Sequence, residues 1–116
     1  MDKRGCPLST TALERFDELV LAAVERLETR SGHDLTAVEF GVEDAPPVDH
    51  SWADRPVPLA ALIVGTGVEP PRIVLFRRPI EMRASADELA ELVYDVLVEQ
   101  VAELLGSEPE EIDPDP

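Results

Sequence analysis

The chain has 116 residues, enough for one domain with one core and too few for two ordinary ones. Its formal charge of −15, from 25 acidic against 10 basic residues, repels phosphate backbones and anionic membrane surfaces, which excludes nucleic-acid binding through counterion release. With 44% apolar but only 4% aromatic residues the core must be aliphatic, and 11 prolines place a sizeable share of the chain in loops and a tail.

The start, MDKRGCPLSTTALERF, holds no apolar run that could serve a secretory signal, and nothing later approaches a membrane span. A cytoplasmic protein is expected, with residues 1–8 disordered. Cys6 is the only cysteine, which rules out an internal disulfide and a cysteine-built metal site.

A capping box from Thr11 to Glu14 opens the first helix, and Phe16, Leu19, Val20, Ala23, Val24 and Leu27 follow at helical spacing until Ser31-Gly32 ends it. In TAVEFGVED, Val38, Phe40 and Val42 alternate with Glu39, Gly41 and Glu43, the pattern of a strand with one buried face. The Pro- and Asp-rich stretch from Asp44 to Pro56 reads as a loop, with Trp52 as its anchor. PLAALIV (58–64) and RIVLFRR (72–78), separated by GTGVEPP, predict a hairpin.

A second capping box, Ser85 to Glu88, opens the last helix, which carries apolar residues from Leu89 to Leu105 and stops at Gly106. The sequence SEPEEIDPDP after it reads as a solvated acidic tail, because its prolines oppose a regular helix. The expected layout is therefore one α+β domain over residues 1–106, helix-strand-strand-strand-helix with both helices packed on a small sheet, followed by the tail 107–116.

The last helix holds an anomaly. At about 100° per residue with Leu89 as zero, Gln100 falls at about 20°, Glu103 at about 320° and Glu99 at about 280°. Gln100 is thereby expected in the middle of the apolar stripe, with the two glutamates beside it. An unpartnered buried amide costs on the order of 1–3 kcal/mol and a lone carboxylate more, so the patch needs either a cleft or partners such as Arg77, Arg78 or Arg83.

The segments ERFDELVLAAVERL, VEFGVEDAPPVD, IVLFRRPIEMRA and ADELAELVYDVLVEQVAELLG together resemble a family of small actinobacterial proteins with a minimal zincin-like metallopeptidase fold. The resemblance implies that active relatives carry H-E-x-x-H-x-x-G-x-x-D on the last helix, where two histidines one turn apart bind zinc and the glutamate between them activates water. This chain reads E-Q-V-A-E-L-L-G-S-E-P in the same place. The resemblance thus puts Glu99 and Glu103 at the histidine positions, Gln100 at the general base, Gly106 at the glycine and Pro109 at the third ligand.

A glutamine amide accepts no proton from water at neutral pH, proline offers no ligand, and carboxylates favour harder cations than zinc. His33 and His50 lie in loops away from the motif and are not expected to complete a zinc site. No bound cofactor is expected: the resemblance implies the fold, the residues imply loss of its chemistry, and the expected protein is a non-catalytic member whose remaining cleft binds a peptide, a protein or nothing. Its expected cleft comprises Glu99, Gln100 and Glu103, and by resemblance an exposed edge strand in RIVLFRR, where Arg72, Arg77 and Arg78 attract an acidic peptide or else pair with the protein's own acids. Two alternatives are a hydrolase using a non-zinc metal held by carboxylates and an acidic electrostatic module for a basic protein. Composition alone leaves the oligomeric state open.

Overall fold

The computed structural model describes residues 12–47 and 57–114. The first helix, α1 (Ala12–Ser31), buries Phe16, Val20, Ala23 and Leu27, as its periodicity predicts. It ends where the Gly32 amide donates to the Glu28 carbonyl (2.9 Å) with Gly32 at φ 76°. Thr11, Cys6, His50 and Trp52, to which sequence assigns a cap, a lone thiol, a loop imidazole and a loop anchor, lie outside the described residues.

Three strands follow: β1 (Glu39–Glu43), β2 (Ala60–Ile63) and β3 (Arg72–Phe76). The expected hairpin forms, since β2 runs antiparallel to β3 with Ala60 opposite Leu75 and Ile63 opposite Arg72. On the other side β1 pairs with β3 in parallel, Phe40 opposite Ile73 and Val42 opposite Leu75, giving the order β1-β3-β2. This corrects the expectation of RIVLFRR as an exposed edge. Ile73, Val74, Leu75 and Phe76 are all buried, as a central strand flanked on both sides requires.

The chain does not continue as strand to residue 78. Arg77 opens a short helix, α2 (Arg77–Arg83), whose Pro79 sits in the first turn, where a missing amide costs no helical hydrogen bond. Its Ile80 is fully buried, and Arg77 reaches Glu81 one turn on at 2.9 Å. The last long helix, α3 (Leu89–Leu105), begins one turn after Ser85, whose amide and hydroxyl both donate to the Glu88 carboxylate.

The supposed tail is also corrected. Gly106, at φ 69°, closes α3 while the Ser107 amide donates to the Ala102 carbonyl (2.8 Å), and this turns the chain back. A single helical turn, α4 (Pro109–Ile112), then sets Ile112 and Asp113 against the body, 2% and 3% exposed. Proline is at home there because the first helical position has an amide to spare, and the Glu108 amide donates to the Glu111 carboxylate at 2.8 Å. The acidic composition concealed one apolar and one ion-paired anchor.

One core joins the helices to one sheet face: Phe16, Leu27, Ile73, Leu75, Ile80, Leu97 and Ile112 belong to it, with Phe40, Val42 and Leu62 packed at its margin. The fold is a small α+β domain consistent with a minimal zincin-like architecture. Among the described residues no helix is long and apolar enough to cross a membrane.

Candidate functional site

The face of α3 that meets the rest of the protein is fixed by Val93, Tyr94, Val96, Leu97, Val98, Val101 and Ala102, all buried. Relative to Leu89 its centre lies near Leu97 and Val101, at about 80° and 120°, rather than at Leu89 itself. Gln100, at about 20° between Val96 and Val93, stands near the rim of the stripe and is half-buried, and Glu99 and Glu103 are exposed. Gln100 thus lies toward one side of the stripe rather than at its centre, and is only half-buried. Leu89 is only half-buried, so it was a poor origin for the angle.

Contacts of α3 show which way that rim faces. The guanidinium of Arg26 on α1 lies 3.9 Å from the centre of the Tyr94 ring and 2.8 Å from the Glu91 carboxylate. Tyr94 and Glu91, at about 140° and 200°, thus mark the side of α3 that packs on α1. The helix also packs against β2 and β3. Glu99 and Glu103 lie at about 280° and 320°, turned away from α1, next to the buried Val96 at about 340° and Gln100 at about 20°. One turn apart on this flank, the two carboxylates can share a cation or a basic side chain.

The donor set does not fit zinc. Two carboxylates, Glu99 and Glu103, stand at the positions in question, Gln100 offers a neutral amide, and Pro109 has no side-chain donor atom. Among the described residues no group of three or more His, Cys, Asp or Glu side chains is arranged to hold a metal ion. His33 is exposed, and its amide donates to the Ser31 hydroxyl.

The arginines do not gather. Arg72 and Arg77 stand at opposite ends of β3, separated by about 17 Å at the strand rise. Arg77 is held by Asp44 (3.0 Å) and Glu81 (2.9 Å), and hydrogen bonding to Asp44 is the main reason its pKa rises. Arg78 is exposed, its amide donating to the Asp44 carbonyl (2.9 Å). Arg72 lays its guanidinium across Gly41 of β1, where a β-carbon would stand 2.8 Å from Nη2. Its charge is turned from β2 toward the other edge of the sheet.

Sequence reasoning missed the edge that is open. Among the described residues β2 and β1 each pair only with β3, so both are edges of the sheet, and β2 is the one without charge. Because the Phe76 amide donates to the Leu59 carbonyl (2.9 Å), the alternation of an antiparallel ladder turns the backbone groups of Ala61 and Ile63 toward β3 as well. Those of Ala60 and Leu62 point outward. The signal was present in LAALIV, whose lack of charge is unusual for an edge.

A second polar cluster joins α1, α3 and α4. Arg30 holds Asp113 through Nε–Oδ2 (2.7 Å) and Nη2–Oδ1 (3.1 Å), and the Tyr94 hydroxyl donates to the same carboxylate. Burial, with Asp113 beside it, pushes the Tyr94 pKa up to about 12. This cluster anchors the chain just beyond α3.

Compared with known protein families, the chain is matched over residues 35–115 by one described as zincin-like metallopeptidase. No curated protein matches it. The matched span takes in the sheet, α3 and α4, and so includes both the open β2 edge and the rim at Glu99, Gln100 and Glu103.

Proposed function

Since this chain belongs to the zincin-like metallopeptidase family, we propose that it is a member without zinc catalysis that uses the family's cleft, between β2 and α3, to bind an extended peptide. One observation carries the reading: an uncharged edge strand lies beside a helix that presents Glu99, Gln100 and Glu103, the positions where the resemblance implies two imidazoles and a carboxylate in active relatives.

The chemistry follows from those side chains. Gln100 can donate and accept hydrogen bonds but cannot take a proton from water near neutral pH, so no general base stands at that position. A peptide entering the edge satisfies the outward amides and carbonyls of Ala60 and Leu62, and the α3 rim then contacts its side chains. Strand addition draws its affinity from main-chain hydrogen bonds, and the flanking side chains provide selectivity.

Two measurements test this. Elemental analysis of protein purified without chelator should find no stoichiometric zinc, and EDTA should leave the thermal midpoint unchanged. In NMR titration, a neutral peptide of alternating threonine and valine should shift the amides of Ala60 and Leu62, and the protein should not cleave it. Zinc-dependent cleavage, or a midpoint that collapses in EDTA, would return the protein to the enzymes.

A further inference from the structure

From Val57 to Val68 the chain carries no charged residue, although 30% of the protein is charged. Ile63, Val64 and Val68 are 51%, 71% and 95% exposed, so this stretch offers aliphatic surface as well as an open backbone. Edge strands usually carry charges that deter pairing, and their absence here marks a strand left able to accept a neighbour.

A strand added to β2 sends alternate side chains to opposite faces of the sheet. One set lies beside Ala61 and Ile63, on the face away from the helices. The other lies beside Ala60 and Leu62, on the side of α3, whose outward flank carries Glu99 and Glu103. Of the three arginines that sequence assigns to the cleft, Arg77 is paired with Asp44 and Glu81, Arg72 is folded over Gly41, and Arg78 stands exposed on α2 rather than on the strand. With a formal charge of −15 behind it, the helix side of the cleft favours positive side chains.

Resting on the proposal that this edge binds peptide, we infer that the partner is an extended basic segment, aliphatic on one face and bearing lysine or arginine on the face toward α3. The acidic peptide that Arg72, Arg77 and Arg78 imply in the sequence is opposite in sign. Glu99 and Glu103 supply selectivity for charge, and the Ile63 face selectivity for aliphatic side chains.

The test compares alternating peptides of lysine and valine, glutamate and valine, and threonine and valine, with a lysine-valine peptide interrupted by prolines as the equal-charge control. Fluorescence anisotropy should show the lysine-valine peptide binding about tenfold more tightly than the threonine-valine one, the sum expected of two or three exposed ion pairs. Glu99→Gln with Glu103→Gln should remove most of that preference while leaving threonine-valine binding in place. Equal binding of the three alternating peptides, or tighter binding of the acidic one, would overturn the inference while the peptide-binding reading stands. Undiminished binding of the proline-interrupted control would overturn it too, by showing attraction to net charge alone. Failure of every peptide to bind would remove the reading beneath it. A dimer in peptide-free protein that Ile63→Lys dissolves would assign the edge to a second copy of the chain and likewise overturn the inference.

Discussion

Arg30 and Asp113, 83 residues apart in sequence, meet as a two-point ion pair, with Nε–Oδ2 at 2.7 Å and Nη2–Oδ1 at 3.1 Å. The carboxylate is 2% exposed and the guanidinium 37%, so the pair is buried on the side of Asp113 and open on the side of Arg30. It clasps the last turn of the chain to the end of α1. The Tyr94 hydroxyl donates to the same carboxylate from α3, so one side chain ties three helices.

Removing the clasp should be costly. Asp113→Ala leaves Arg30 and the Tyr94 hydroxyl without that carboxylate, and about 2–3 kcal/mol of stability should be lost, below the range for fully buried pairs because Arg30 reaches solvent. Tyr94→Phe deletes one hydrogen bond to a charged group and should cost about 1.5 kcal/mol. Urea unfolding of both variants checks the order. A loss under about 0.5 kcal/mol for Asp113→Ala, the size of an ordinary surface change, would mean that the segment after Gly106 contributes little to the fold.

Tyr94 is the only tyrosine, so phenolate absorbance reports it alone. Its titration midpoint should lie near 12, raised by burial and by Asp113, and Asp113→Asn should lower it. The folded form then binds the proton more tightly than the unfolded form, whose pKa is near the ordinary 10. The stability gained is fully present below about 10 and is lost as pH rises toward about 12. A midpoint at the ordinary tyrosine value would place the hydroxyl in water.

The position of the α3 stripe is testable by paired substitutions. Gln100→Leu, on the rim, should change stability by no more than about 0.5 kcal/mol, whereas Leu97→Ala, in the centre, should cost about 2–5 kcal/mol. Chemical denaturation distinguishes them. A cost above about 1 kcal/mol for Gln100→Leu would show that the amide makes a structural hydrogen bond.

Installing the ligand types that the resemblance implies for active relatives probes the geometry of the rim. The combined variant Glu99→His, Gln100→Glu, Glu103→His and Pro109→Asp places two imidazoles one turn apart on the outward flank of α3. Calorimetric titration should show a one-to-one zinc site in the variant and none in the natural protein. Peptidase activity need not follow, since the groups that orient histidine ligands are not restored with them. A folded variant that binds no zinc would show that the chain after Gly106 does not bring residue 109 to the α3 rim.

Much of the local structure was legible in the sequence. Periodicity located α1 and α3, alternation located β1, and the turn-rich GTGVEPP located the β2–β3 hairpin, because each signal is carried by residues close in sequence. Sequence also determined which side chains stand on α3, and hence that E-Q-V-A-E holds no imidazole. α2 stayed hidden because RIVLFRR reads as one strand, and only Asp44 and Glu81 beside Arg77 mark the change of direction.

The tertiary structure decided three matters that depend on distant partners. It made β3 central by bringing β1 alongside in parallel, which left β1 and β2 as the edges. It fixed the rotation of α3, putting Leu97 and Val101 inside and Gln100 on the rim, because the packing of α1 and the sheet selects one angle from a helix that is apolar over a wide arc. It also buried Ile112 and Asp113, since the acidity of a segment gives no sign that an arginine 83 residues earlier waits to receive it. Local propensity is written in neighbouring residues, whereas strand order, helix rotation and ion pairing are settled by groups that meet only when the chain has folded.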